Sequence, residues 1–236
     1  MTTFPAAQDH GALEPLFPDV WRVRGSFRVG PGMSIPRNMI VLREGRALTV
    51  VNAVRLSAAG EAALAELGEV KHLVKLGHFH GLDDPYYRDR FRPTFWAPKP
   101  ADADTRELAS DGASPLERAR PFRFEGTAGR EGALLVAQDA GNLLVTCDSV
   151  QNWESAAGSS FLGGIVVRLM GFIEPAKIGP IWVKKLTDED PSKVRPDFER
   201  LLGLDFTHLV GGHGELLRDG AKAAVKASCA RTLGMH

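Results

Sequence analysis

Two cysteines among 236 residues, Cys147 and Cys229, leave no material for a disulfide framework and suit a reducing compartment. An excess of one charge is missing too: 29 Lys and Arg balance 29 Asp and Glu, so the net charge is zero. With no Lys/Arg run either, a nucleic-acid partner is not expected. Long apolar runs are also absent. The longest, Phe161 to Ile173, is about two-thirds of a membrane span and is interrupted by Arg168. It is expected to pack on the core as a helix or loop, and no membrane association is expected. The amino-terminal stretch MTTFPAAQDHGALEPLF has neither a basic start nor an unbroken apolar segment, so no signal peptide is expected and the predicted location is cytoplasmic.

What is present is an ordinary globular composition, 44% hydrophobic and 25% charged, in a length that suits one generous domain over residues 1–236. Val20–Arg24 alternates apolar and polar, as a half-buried strand does. A Gly/Pro turn at Gly30–Gly32 separates it from strands at Asn38–Leu42 and Ala47–Val51, which implies antiparallel pairing. Ser57 to Gly68 carries an N-cap, helix-forming composition and a glycine stop. His72–Leu76 is a strand, Asp83–Phe91 a short aromatic-rich helix, and residues 99–119 a surface connection. Strands follow at Pro121–Glu125, Gly132–Gln138 and Asn142–Thr146. Residues 151–187 are irregular with helical parts, Pro191–Leu202 is a helix, Phe206–Val210 a strand and Leu216–Leu233 a final helix. Two mixed β-sheets flanked by helices, an α+β sandwich of αββα layers, accommodate this order.

Three strands end in loops rich in metal-ligand side chains: Leu73 to Asp84 with His78, His80, Asp83 and Asp84; Leu143 to Asp148; and His208 to Gly214 with His213. Ligands at the ends of neighbouring strands converge on one sheet edge, where a rigid scaffold can position a metal. Imidazole nitrogen and carboxylate oxygen suit Zn, Fe or Mn. His78 and His80 flank one residue, so an extended loop would point both rings one way.

In these segments the chain resembles the metallo-β-lactamase superfamily, whose hallmark is His-x-His-x-Asp-His after a strand, a distant His, an Asp ending a later strand and a final Gly-His-Gly. His78 and His80 match the first two histidines, Asp148 the metal-bridging Asp, and His213 within Gly212–Gly214 the last. Asn52 stands where the family usually has an Asp supporting the site from behind. The departures are specific: Leu82 replaces the Asp ligand, Asp83 the fourth His, and residues 81–147 contain no histidine.

The resemblance implies a metal-dependent hydrolase acting on a small ester, thioester or lactone through one divalent ion held by His78, His80, Asp83, Asp148 and His213. A metal-bound water would be the nucleophile, with Asp83 or Asp84 as proton acceptor. Glu125 is a candidate to replace the missing His. The alternative is a catalytically silent fold member that binds a small molecule or a protein partner.

Cys147, at the end of an apolar strand, is expected to be an inert core thiol. His208 and His72 are expected to be structural. Trp153 and part of the cluster Tyr86, Tyr87, Phe91, Phe95 and Trp96 are candidates for a pocket wall. Lys184 and Lys185 are candidates to hold an anionic substrate group.

Overall fold

A computed structural model describes residues 4–235; the first three residues of the amino-terminal stretch lie outside it. Seven strands form one sheet in sequential order: β1 (Glu14–Phe17), β2 (Val20–Gly30), β3 (Met33–Glu44), β4 (Ala47–Val51), β5 (Glu69–Val74), β6 (Thr94–Ala97) and β7 (Thr105–Glu107). β1 to β4 pair antiparallel, and β4 to β7 pair parallel. The parallel half needs crossovers, and α1 (Ala58–Leu67) and α2 (Asp84–Phe91) supply two of them.

The second sheet contains β8 (Ala119–Phe124), β9 (Glu131–Val136), β10 (Leu143–Val145) and, parallel to β10 at its edge, β13 (His208–Val210). Between them lie a two-stranded ribbon of β11 (Val150–Gln151) and β12 (Lys177–Ile178) and the helices α3 (Phe161–Leu169), α4 (Pro180–Leu186) and α5 (Arg195–Leu202); α6 (Ala221–Leu233) closes the chain.

Side-chain alternation sorts residues into layers. On β3, Ile40 and Leu42 face the second sheet and pack with Leu134, Val136, Leu143 and Val145. Met39 and Val41 face outward onto Leu64 of α1 and Tyr87 of α2. On the second sheet, Leu135, Leu144 and Leu209 face Trp182, Phe198 and Val225 of α4, α5 and α6. These three apolar layers hold the αββα sandwich together, with helices outside both mixed sheets.

Some local expectations differ from the structure. Residues 99–119, expected as a surface connection, contribute β7, which pairs with β6 at the sheet edge. The last helix begins at Ala221 rather than Leu216, because Leu217 instead bridges Leu209 of β13. The apolar stretch from Phe161 does not simply pack on the core. α3 is capped by Ser160, whose Oγ accepts from Gly163 N at 3.2 Å, and it buries Gly163, Gly164 and Val167. Phe161 and Leu169 remain 84% and 83% exposed, so only one face of this helix is used. No helix among the described residues is long and apolar enough to cross a membrane.

Candidate metal centre

β10 and β13 are locked in parallel register, Val145 opposite Val210. Asp148 and His213 each lie three residues beyond that pair, so the ladder itself places the two side chains next to each other. The ladder continues as Thr146 N donates to Val210 O at 2.9 Å and Gly212 N donates to Cys147 O at 3.2 Å. Asn38 on β3 anchors the same loop, its amide donating to the carbonyls of Gly211 and Gly214 at 2.9 Å each.

From the opposite sheet, the segment after β5 delivers His80. It is tied to β9, with Gly132 N donating to Leu76 O at 2.8 Å. Asn52, whose φ is +53°, supports it from behind as its Oδ1 accepts from Leu76 N at 3.0 Å.

The three groups converge. His80 Nε2 and His213 Nε2 are 3.2 Å apart, and Asp148 places Oδ2 at 3.6 Å from His80 and Oδ1 at 3.4 Å from His213. His213 Nδ1 lies 2.7 Å from the carbonyl oxygen of Pro36, an acceptor only, so Nδ1 carries a proton and Nε2 faces the cluster. Such an outer hydrogen bond is the usual means of orienting a ligating imidazole. Gln151 Nε2 donates to Asp148 Oδ1 at 3.1 Å, and Trp153 Nε1 donates in turn to Gln151 Oε1 at 2.8 Å. The Trp153 ring stacks on His213 at 5.9 Å and 12°. Burial by itself would raise the Asp148 pKa, but the adjacent His80 and His213 imidazoles outweigh it and hold the carboxyl well below its usual range.

These ligand atoms lie within 4.8 Å of one another, a separation one cation can span. Two imidazole nitrogens and a carboxylate oxygen are a donor set that fits Zn, Fe or Mn.

The other expected site residues lie elsewhere. His78 does not share the direction of His80: it is exposed on the opposite side of the segment, and burial, then the nearby Arg130 and Lys75, lower its pKa. Asp83 is buried in an ion pair with Arg37 and accepts from Arg55 N at 2.8 Å, so its carboxylate is spent on structure. It therefore makes no cap bond for α2. Asp84 faces away with His78, and burial raises its pKa to about 6. Gly81, with φ +112°, makes the sharp bend, and a Cβ there would fall 2.7 Å from Asp84 Oδ2. Glu125 lies at the surface in an ion pair with Arg123.

Sequence reasoning missed a buried carboxyl. Glu131, at the start of β9, is fully buried, and its Oε1 accepts from Asp148 N and Ser149 N at 2.9 Å each. Burial, then the charge of Asp148, pushes its pKa well up, and its two accepted bonds shape the backbone around Asp148. The sequence carries one trace of it, a Glu opening the otherwise uncharged run Gly132–Val136.

The cluster sits at the polar end of a 340 Å³ cavity walled by Phe27, Met33, Ile35, Trp153, Met170 and Phe172, with Phe79 and Leu82 partly exposed along its edge. Trp153 thus lines it as expected. The cation on its wall is Arg37; Lys184 and Lys185 are exposed outside it. Of the remaining candidates, Cys147 is a buried thiol whose pKa burial pushes well up, and His208 is buried, with Asp219 N donating to its Nδ1 at 3.0 Å. His72 accepts from Trp96 Nε1 at 3.2 Å.

No protein-family model matches the sequence, and no curated protein matches it significantly. Solved structures do match in shape. VMB-1 is 15% identical with a TM-score of 0.64, over 97% of this chain and 99% of that one. The mono-zinc form of the metallo-β-lactamase FIM-1 from Pseudomonas aeruginosa is 10% identical with a TM-score of 0.60, over 96% and 97%. A flavoprotein from Thermotoga maritima is 12% identical with a TM-score of 0.63; 92% of this chain is covered, but only 60% of the longer protein. The chain has the metallo-β-lactamase fold.

Proposed function

We propose that this protein is a metal-dependent hydrolase that holds one divalent cation at His80, Asp148 and His213 and acts on a small ester, thioester or lactone with an apolar body. The observation that carries this reading is the convergence of two imidazole nitrogens and a carboxylate, within 4.8 Å, at the polar end of an apolar cavity. The solved relatives of the fold include a mono-zinc metallo-β-lactamase and a flavo di-iron protein, in keeping with a Zn or Fe site. A cation bound there supplies a Lewis acid that polarises a carbonyl and lowers the pKa of a coordinated water.

The residues of the chain do the rest. His80, Asp148 and His213 bind and orient. The Pro36 carbonyl and Gln151 fix the ring and carboxylate geometry. The walls exclude water around a substrate of modest size, and Arg37, paired with Asp83, puts a guanidinium on the cavity wall. Asp148 faces His80 and His213 within the cluster, Glu131 Oε1 is engaged by Asp148 N and Ser149 N, and Asp83 is engaged by Arg37. The protein therefore supplies charge and orientation rather than a strong base.

That last observation favours a second reading, a catalytically silent fold member that binds a small apolar molecule in the same cavity. One experiment separates the two. Protein purified without a metal-affinity column is assayed for metal and for hydrolysis of nitrophenyl esters, thioesters and lactones, beside a His80→Ala/His213→Ala variant. About one equivalent of metal and saturable hydrolysis, both lost in the variant, is the expected result. Metal without turnover supports the silent binder, and no metal even after reconstitution overturns both the hydrolase and its centre.

A further inference from the structure

The segment between β5 and α2 has a second side. Gly77, His78, Gly81 and Asp84 line a separate cavity of 690 Å³, whose far wall includes Phe95 and Pro98. Lys75, Arg88, Lys99 and Arg130 also line it. Arg88 is neutralised by Asp102 at 2.9 Å. The other three form no ion pair within 4 Å among the described residues: Arg130 donates only to the carbonyls of Thr127 and Leu186, at 3.0 and 3.4 Å, and Lys75 and Lys99 make no side-chain hydrogen bond. Asp84 is the one acid on the wall, and its carboxylate and the Lys75 ammonium both approach Gly81, so it offsets part of the Lys75 charge.

In a chain whose net charge is zero, four cations on one concavity, against Asp84 near Lys75 and Asp102 on Arg88, leave a local positive excess that costs self-repulsion unless an anion offsets it. The concavity is also walled by apolar groups, which a bare inorganic ion does not use.

We infer that this second cavity binds a small organic anion, its phosphate or carboxylate placed between Lys75, Lys99 and Arg130 and its apolar body packed against Phe95 and Pro98. The inference is independent of the hydrolase reading, because none of these groups belongs to the His80–Asp148–His213 cluster.

The test is calorimetric titration of metal-stripped protein at low salt with phenyl phosphate and benzoate, with inorganic phosphate and benzyl alcohol as controls. Saturable one-to-one binding of either organic anion is expected, weakening as salt rises. Both controls should bind about tenfold or more weakly. Lys99→Glu, at an exposed side chain with no partner to lose, should weaken the organic anion by about tenfold; Arg130→Ala should do the same. His213→Ala should bind as the wild type does. Equal affinity in the wild type and both cavity variants, loss of binding in His213→Ala, inorganic phosphate binding as tightly as phenyl phosphate, or no saturable binding would each overturn the assignment.

Discussion

His78 and His80 are separated by one residue, yet they belong to opposite electrostatic settings. On the His80 side, two imidazoles and an ionised carboxylate face one another in an apolar-walled cavity, and a cation is what would satisfy them. On the His78 side, lysine and arginine side chains dominate and an anion is what would. The segment can serve both because Gly81 bends it sharply and the buried Arg37–Asp83 pair pins its far end. Adjacent positions in sequence are thus no guide to a shared site: chain direction, not composition, decides which cavity a side chain enters.

The comparison is tested most severely by exchanging which histidine is removed. His80→Ala should weaken Zn binding by about 100-fold or more, since a ligand matters at least as much as the outer groups that orient it. His78→Ala should change it by less than about threefold. Equal losses, measured by competition with a chromophoric chelator, would place both rings in one site and erase the distinction.

Glu131 sharpens the contrast from behind the metal side. With its pKa pushed well up, it is expected to be mimicked by glutamine, whose amide oxygen can accept the same two backbone N–H bonds. Glu131→Gln should therefore cost less than about 1 kcal/mol in urea unfolding. Glu131→Ala strands both donors and leaves a void, and should cost about 2–4 kcal/mol. A glutamine variant as damaged as the alanine one would mean that Glu131 is ionised.

Asp84 gives the most pH-dependent effect, on the other side. Its pKa rises from 3.8 to about 6 on burial. Below 3.8 it is protonated in both folded and unfolded chains and contributes nothing. Between 3.8 and about 6 the unfolded chain releases its proton while the folded one keeps it, so stability falls as pH rises. Above about 6 the full cost is present, at most about 3 kcal/mol. Asp84→Asn should accordingly match the wild type at acid pH and exceed it at neutral pH. A stability difference that does not vary with pH would refute the burial of an ionisable carboxyl here.

Much of this was legible in the residues, for identifiable reasons. Asp148 and His213 end strands whose apolar runs are local signals, and parallel pairing of those strands then brings the side chains together without further information. The αββα layering followed from alternating strands and helix caps such as Ser57. The orientation of residues 78–84 was not legible, because it depends on Arg37, 46 positions from its partner Asp83. Glu131 was hidden for a similar reason: its burial comes from the Gly77 segment and Asp148 closing over it. The exposed half of α3 escaped as well, since an apolar run does not announce which face the fold leaves uncovered.

His80 comes from the seven-stranded sheet, whereas Asp148 and His213 come from the four-stranded one. A cation shared by the three would therefore be a clasp across the sandwich, closing a chain loop that runs from residue 80 to 213. Its occupancy would become part of the resistance to heat and proteolysis: at a free metal concentration 100 times the dissociation constant, binding would add about 2.7 kcal/mol to folding. Under metal starvation the two sheets would lose that tie together with any chemistry, and the abundance of the protein would report the metal supply.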